Sequence, residues 1–174
     1  MSCFLEEKEG TLIVVLTFNR DQLLYDIKNY AYIEGSVMET ENDHNRHMTQ
    51  DVGEEGNVDR ITRVLDLSMA KCRELLYPYT KHEVIRPVLD NRLRERKVYG
   101  IVMSVPKDFS QTSLMLLERL IHEYLVCKAV EEWMSFTNPS KTHTWAEKAA
   151  DAMREIRSNL NARIGRVRRK LHPF

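Results

Sequence analysis

Residues 111–136 read QTSLMLLERLIHEYLVCKAVEEWMSF and decide the fold, because they form the longest amphipathic segment of the chain. Large apolar side chains recur there at helical spacing and cover about half of the helix circumference. They are Leu114, Leu117, Leu120, Ile121, Tyr124, Leu125, Val130 and Trp133. A helix with so wide an apolar surface is usually enclosed by other elements. The segment therefore predicts a central helix, with Asp108 or Ser110 as its N-cap residue.

Three more segments carry apolar residues at helical spacing and predict helices that pack around this centre. They run from Asn19 to Gly35, over residues 58–77, and from Thr144 into the basic C-terminus. The first and the third begin with the spacing of a capping box, formed by Asn19 with Gln22 and by Thr144 with Glu147. Each of these two helices is therefore expected to start at a defined residue.

Two short runs rich in β-branched residues predict strands, at 11–18 (TLIVVLTF) and at 98–105 (VYGIVMSV). Together the elements predict an α+β fold that is predominantly α-helical. Its architecture is a bundle of about four helices with a small two-stranded β element or arm. The pattern leaves open whether the two strands pair within one chain or between subunits.

A chain of 174 residues is long enough for one domain with a packed core. We divide it into a strand–helix unit at 1–36, an acidic flexible loop at 37–57, and a helical core at 58–174. The core contains an inserted arm at 78–105 and ends in a basic helix. The loop is predicted because residues 37–57 are acidic, contain two glycines and lack apolar periodicity.

The chain carries 26 basic and 26 acidic residues, so it has no net charge, but the two signs are separated along its length. Eight acidic residues and one arginine lie between Glu34 and Asp59. Seven basic residues and one acid lie between Arg154 and Lys170. Such polarity favours contacts between copies that have a fixed direction.

The N-terminus MSCFLEEKEG lacks the basic start and apolar stretch of a signal peptide. The longest apolar run, LIVVL, is far shorter than the ~20 residues of a membrane span. Three widely spaced cysteines without a C-x-x-C motif predict reduced thiols. We therefore expect a protein that begins in the cytoplasm and has no membrane partner.

Histidine residues supply the candidates for a metal site. His44 and His47 lie near Glu41, Asp43 and Asp51, and imidazole and carboxylate groups are ligands that zinc accepts. A bound metal also needs a rigid surrounding shell, which a flexible segment does not provide. An ordinary solvated loop is therefore the favoured interpretation.

The central helix contains His122 and Cys127, the candidates for catalysis. Position 126 is Val, so the H-E-x-x-H zinc motif is incomplete, and we expect a partly buried His122 with a hydrogen bond. Cys127 lies about 140° around the helix from His122, which disfavours a nucleophile–base pair. The motifs G-x-x-x-x-G-K-[ST], G-x-G-x-x-G and G-x-S-x-G are absent from the sequence. We therefore assign no catalytic residue, cofactor or metal.

Charged and aromatic residues of the acidic segment and the arm are candidates for a subunit or partner interface, since Tyr and Arg are favoured at interfaces. They are Glu39, Glu41, Asp43, Asp51, Glu54, Glu55, Tyr79, Arg92, Arg94 and Arg96. Simple coverage of the end of the bundle is an equally good interpretation of the arm.

The basic C-terminal residues have three interpretations. They are Arg154, Arg157, Arg163, Arg166, Arg168, Arg169 and Lys170. They can form a solvated helix face that favours the C-terminal end of the helix dipole. They can also bind an acidic protein segment, for which residues 34–59 of a neighbouring copy are suitable, or nucleic-acid phosphates.

These features together resemble a class of viral proteins. Phrases such as TFNRDQLLYDIKNYAY, RVLDLSMAKCRELLYPY and LIHEYLVCKAVEEWMSFTNP occur in a short chain with a helical core, an arm and a basic end. The chain resembles small virion-assembly proteins of the head–tail connector or tail-completion type, from tailed phages and prophages of Bacteroidales-type bacteria.

The resemblance implies a non-enzymatic structural adaptor of a phage or prophage particle that forms a homo-oligomeric ring. Its implied partners are copies of itself, other virion proteins, and packaged DNA through backbone contacts. The implied location is the host cytoplasm and then the virion. The alternative hypothesis is a small nucleic-acid-associated accessory protein that uses the Arg-rich C-terminal helix.

Overall fold

Helices form most of the chain that the computed structural model describes, which comprises residues 4–8, 11–38, 43–81, 97–107 and 109–161. The strands are Phe4–Lys8 (β1), Thr11–Asn19 (β2) and Val98–Pro106 (β3). The long helices are Arg20–Val37 (α1), Glu55–Leu75 (α3), Gln111–Thr137 (α5) and Pro139–Asn161 (α6). The short helices are Asp43–Gln50 (α2) and Tyr77–Thr80 (α4), and Asp51–Gly53 is a 3₁₀ turn. The predicted α+β, mainly helical fold is confirmed.

Helix α5 is the centre of the core, as predicted, and packs against α1, α2, α3 and α6. Of the apolar residues that the sequence assigns to its buried surface, Leu120 is partly buried and all the others are buried. Val126, Ala129 and Met134 are buried as well, so burial extends further around α5 than the predicted stripe. Ser110 is the N-cap residue, although its side chain makes no capping hydrogen bond.

The three strands form an antiparallel sheet in the order β1-β2-β3. The predicted strands correspond to β2 and β3, which pair within one chain with Leu16 opposite Ile101. Both residues point into the core together with every second residue of their strands, as the pleat of a strand requires. Strand β1 was not predicted, because its sequence FLEEK is mostly charged, yet it pairs with β2 over its whole length.

The chain passes from β2 into α1 at Asn19, and the predicted N-cap is formed there. The Asn19 side-chain oxygen accepts the Asp21 backbone N–H at 2.9 Å. The Arg20 N–H donates to the Lys97 carbonyl at 3.0 Å, which joins the start of α1 to the start of β3. Gln22 does not act as the second member of a capping box, because its side-chain amide instead donates to an oxygen of Asp26.

The acidic segment at 37–57 is largely helical over its described residues, so its prediction as a flexible loop was wrong. Thr49 and Val52 are buried, which gives the segment an inward surface that its few apolar residues did not indicate. Gly35 is buried inside α1 rather than ending it. A Cβ atom at Gly35 would lie 2.7 Å from Gln50 Cγ. The missing side chain therefore allows α2 to cross close to α1.

Helix α6 starts at Pro139, so the capping box predicted at Thr144 does not form, and Thr144 lies inside the helix. Asn138 alone connects α5 to α6, and its side-chain oxygen accepts the Ser140 hydroxyl at 2.7 Å. Proline fits the first helical position, where no intrahelical N–H is needed. The predicted stripe of Trp145, Ala149, Ala152, Ile156 and Leu160 is buried, whereas Ile164 and Val167 lie outside the described residues.

Trp145 fixes α6 to α1. Its ring meets that of Tyr30 edge to face, with the ring centroids 5.0 Å apart. The indole N–H donates to Glu34 Oε1 at 3.1 Å. The Lys148 ammonium lies 3.9 Å from the centroid of the Trp145 ring. A buried aromatic side chain whose polar edge is satisfied holds the two helices in one relative position.

Helix α3 ends at Leu75, before Pro78, and Pro78 lies in the first turn of the short helix α4, which begins at Tyr77. The predicted arm at 78–105 therefore contains α4 and most of β3. Residues 82–96 between them lie outside the described residues. Helix α4 packs against β3.

Within the described ranges, no helix has both the length and the apolar composition needed to cross a membrane. Helix α5, the longest, carries charged residues along its length, among them Glu118, Arg119 and Glu131.

Leu65 and Leu67 on α3 test the assigned core, because they are close in sequence but differ in burial. Leu65 is fully buried, whereas Leu67 is 59% exposed. We expect Leu65→Ala to lower the free energy of unfolding by about 2–5 kcal/mol, because it leaves a cavity in the core. Leu67→Ala should change it by less than about 0.5 kcal/mol. Urea denaturation followed by circular dichroism measures both values, and equal losses would contradict the assignment.

Candidate binding cleft and charged surfaces

A cleft of about 440 Å³ opens where the start of α1 meets the N-terminal half of α5. Strands β2 and β3 and helices α1 and α5 all contribute to its walls. Its polar lining consists of Thr17, Asn19, Gln22, Glu118, Arg119 and His122, and Phe18 and Val98 supply the apolar part. A concave site with several converging polar groups is the usual form of a binding site.

His122 on α5 is oriented by a hydrogen bond to the Asp26 carboxylate of α1, which is itself held by a second hydrogen bond. Its Nε2 atom lies 2.7 Å from Asp26 Oδ2. The other Asp26 oxygen accepts the side-chain amide of Gln22 at 3.1 Å. Because an ionised carboxylate can only accept hydrogen bonds, Nε2 carries a hydrogen and donates it. The imidazole is therefore held in one orientation beside the cleft.

The expectation of a partly buried His122 with a hydrogen bond is confirmed, since its side chain is 27% exposed and bonds to Asp26. The sequence did not identify Asp26 as the partner, because the two residues come from distant segments. It also did not identify the cleft. The only signal for it is that Glu118, Arg119 and His122 interrupt a largely apolar helix.

Cys127 is poorly suited to act as a nucleophile near neutral pH. Its thiol is buried and lies 3.6 Å from Glu123 Oε1. Burial, followed by the charge and hydrogen bond of Glu123, raises the pKa of Cys127 to about 12, although Lys148 acts in the opposite direction. Burial likewise raises the pKa of Cys72 to about 12. Both side chains are therefore neutral thiols that pack as small apolar groups.

His44 and His47 are exposed on α2, a helix rather than the predicted loop. Asp43 begins the same helix, Asp51 lies in the following 3₁₀ turn, and Glu41 is outside the described residues. Among the residues that the structure describes, no three His, Cys, Asp or Glu side chains are grouped so that they could hold a metal ion.

Three of the predicted acidic interface residues lie close together in the chain, from the 3₁₀ turn that follows α2 to the first residue of α3. Asp51, Glu54 and Glu55 are all exposed, and we call them the acidic turn. Asp43 is exposed at the far end of α2, whereas Glu39 and Glu41 lie outside the described residues. In the described parts of the chain, no salt bridge involves a side chain of the acidic turn.

The acidic turn lies beside the C-terminal half of α5. The Trp133 indole N–H donates to the carbonyl of Thr49, just before the turn, at 2.8 Å. Just after the turn, Arg60 on α3 forms a 2.7 Å salt bridge with Glu132. Contacts on both sides of the turn therefore fix its position along α5.

Two of the predicted basic residues, Arg154 and Arg157, are exposed on α6. Arg154 forms an ion pair with Asp151 of the same helix. Helices α5 and α6 are joined by one residue and run antiparallel, and Lys148 lies near Cys127. Each step forward along α6 therefore corresponds to one step back along α5. Counted in this way, Arg154 and Arg157 are level with about residues 118–121 of α5. The predicted residues Arg163, Arg166, Arg168, Arg169 and Lys170 lie outside the described residues.

Arg119, Arg154 and Arg157 therefore share one end of the α5–α6 pair, which we call the basic end, although the acidic residues Glu118, Asp151 and Glu155 lie there as well. Along α5, Arg119 and Trp133 are about 20 Å apart, and Trp133 lies beside the acidic turn.

The acidic turn also lies on the opposite side of α1 from the cleft. A Cβ atom at Gly53 would lie 2.7 Å from Lys28 Cε, and position 28 lies about 200° around α1 from position 26. In the described residues, no ion pair joins the acidic turn to an arginine of α6.

Tyr79, the aromatic interface candidate of the arm, is partly buried and meets Phe109 edge to face with ring centroids 5.8 Å apart. It therefore helps to cover the core, which is one of the two interpretations that the sequence left open. Tyr77 is the exposed aromatic residue of α4. Arg92, Arg94 and Arg96 lie outside the described residues.

Comparisons with protein-family models, with curated proteins and with solved structures found no match to this chain. The geometry of the cleft and of the two charged surfaces is therefore the structural basis for a functional proposal.

The pKa values of the two buried cysteines predict how they react with a thiol reagent. In a Cys3→Ser variant, we expect the folded protein to react at about pH 8 at least roughly a hundredfold more slowly than the urea-unfolded protein, because little thiolate is present. The rate should rise with pH up to about 12, the pKa of both thiols. Iodoacetamide labelling followed by mass spectrometry measures it. Fast labelling of Cys127 in the folded protein would contradict the prediction.

Proposed function

We propose that the protein is a non-catalytic structural adaptor whose copies bind one another head to tail in a ring. The observation that supports this most directly is the separation of charge along the chain, with the acidic turn at one place in the fold and seven basic residues between Arg154 and Lys170. A head-to-tail contact joins two different patches, and repeated contacts close into a ring when the rotation between copies allows it.

The setting that we propose is a phage or prophage particle, with the ring at the head–tail junction or in the tail. This part rests on the resemblance of the sequence to small virion-assembly proteins. The proposed partners are other virion proteins, and packaged DNA through contacts with its backbone. The proposed location is the host cytoplasm during synthesis and then the virion.

Exposed charges favour a direction of binding more than they supply affinity. A solvent-exposed ion pair contributes only about 0–1 kcal/mol, because water and salt screen it. Opposite patches still steer two copies into one orientation and disfavour contacts between like ends. An apolar contribution is therefore also needed for a stable ring.

Helix α1 has an exposed surface that can supply this contribution. Tyr25 and Tyr32, seven residues apart and so on one side of the helix, are 65% and 61% exposed. Ile33 is exposed about 80–100° further around α1, and Val37 is exposed in its last turn. Tyrosine is enriched at protein interfaces, because it combines a large apolar area with a polar hydroxyl.

The mass of the assembled protein tests the proposal. At about 0.05 M salt we expect light scattering to give a mass that is a multiple, greater than two, of the 20.5 kDa chain. The mass should fall as salt rises to about 1 M, because the Debye length becomes shorter than the distances between the charges. A chain that remains monomeric under all of these conditions, and also with neighbouring virion proteins, would overturn the proposal.

A variant pair shows whether the basic end contributes. Combined Arg154→Gln and Arg157→Gln substitutions should weaken the assembly by up to about tenfold, because they remove two exposed cations, one of which (Arg154) is paired with Asp151 of the same helix. Lys71→Gln on the exposed side of α3 removes a cation elsewhere and should leave the mass unchanged. If both arginines instead bind nucleic acid, the wild-type chain shifts DNA at low salt while its own mass stays that of a monomer.

A further inference from the structure

We propose that the cleft between the start of α1 and the N-terminal half of α5 binds a free basic amino acid, of which arginine fits best. The carboxylate of the ligand lies at Arg119, and its cationic side chain lies at Glu118. Binding of this kind goes beyond the adaptor function and does not depend on head-to-tail assembly.

Hydrogen bonds within the protein fix what the lining of the cleft can offer to a ligand. The Gln22 amide nitrogen donates to Asp26, so the Gln22 side-chain oxygen is left as an acceptor. His122 directs its Nε2 hydrogen to Asp26, so Nδ1 of the neutral ring is left as an acceptor as well. The carboxylate of Glu118 adds further acceptor oxygens. A ligand with several N–H donors is therefore favoured.

The charges around the cleft have both signs, and they favour a ligand that carries both. Glu118 and Arg119 are consecutive lining residues of α5, and within the described residues neither forms a salt bridge. Asp21 in the first turn of α1 and Asp26 make acidic groups more numerous than basic ones. The N-terminus of α1 is already capped by Asn19 and adds little positive charge. A simple anion would therefore meet mainly opposing charge, whereas a cation with one carboxylate meets a partner at each end.

The spacing of the two charged side chains sets the form of the ligand. Consecutive residues on a helix point about 100° apart, so the charged ends of Glu118 and Arg119 diverge. A ligand that contacts both must carry its charges at opposite ends of a chain, as arginine and lysine do. The aliphatic part of that chain can pack on Val98, which lines the cleft and is 54% exposed. The cleft volume of about 440 Å³ is within the range of small-molecule sites.

The acceptors of the lining favour arginine over lysine. A guanidinium group has five N–H donors in a planar fork, whereas an ammonium group has three. The fork can bind the Glu118 carboxylate through two parallel hydrogen bonds, and its remaining N–H groups can reach Gln22 or His122. At the other end of the ligand, the carboxylate can bind the Arg119 guanidinium in the same two-bond geometry.

Calorimetric titration with L-arginine tests the inference, with sodium chloride of equal concentration as the blank. We expect saturable binding with a dissociation constant of about 1 mM or tighter. Agmatine, which is arginine without the carboxylate, should bind at least about tenfold more weakly, because it cannot pair with Arg119. Glutamate lacks the cationic end and should show no saturable binding.

Two variants locate the ligand in the cleft. Arg119→Gln should weaken binding of L-arginine by about tenfold or more and should not weaken binding of agmatine, because only the carboxylate contact is lost. Glu118→Gln should weaken binding of both compounds. Lys71→Gln and Glu74→Gln are matched neutralisations at exposed positions of α3 and should bind as the wild-type chain does. Circular dichroism of each variant shows whether it is folded.

Three outcomes overturn the inference. They are no saturable binding of L-arginine up to about 10 mM, equal binding of agmatine and L-arginine, and wild-type binding by both cleft variants. None of them bears on assembly, which light scattering measures separately. A chain that binds L-arginine but remains monomeric would contradict the adaptor function and leave the ligand site standing.

Discussion

The structure depends on covering helix α5, whose apolar side chains face outward in nearly every direction over most of its length. Burial of apolar surface is the dominant favourable term in folding, and such a helix gains it only when other elements surround it. Helices α1, α2, α3 and α6 do so. Each of them needs only one apolar side for this role, which leaves its other side free to carry charge.

The enclosure of α5 is incomplete at its N-terminal half, and the cleft lies there. Helix α1 begins at Arg20. The hydrogen bonds from Gln22 to Asp26 and between Asp26 and His122 lie where α1 begins to pack over α5. Before that point, Met115, Leu116 and Arg119 are exposed on α5. The position of the cleft is therefore linked to the packing of the core, because it lies where the cover of the central helix is incomplete.

Periodicity predicted those parts of the fold that depend on burial. The stripe of α5, strands β2 and β3, and the cap at Asn19 all follow from spacing or from local hydrogen bonding, which a single sequence displays. Helix α2 was missed because only Thr49 and Val52 turn inward, and their burial depends on Gly35 of another helix. The cleft was also missed because it depends on contacts between distant parts of the chain. Four elements that are separated in sequence form its lining. The start of α6 was misplaced at Thr144 because the capping-box spacing indicated a helix start there, whereas Pro139 occupies the first helical position.

Both tryptophans of the chain belong to the α5–α6 pair, and each donates its indole hydrogen to a different neighbour. Trp133 bonds to the main chain of α2, and Trp145 bonds to the carboxylate of Glu34 on α1. Indole emission responds to the polarity around the ring. The protein therefore contains two intrinsic fluorophores, one that reports on the attachment of α2 and one that reports on the attachment of α1. Replacing either with phenylalanine separates the two optical signals without adding an external dye.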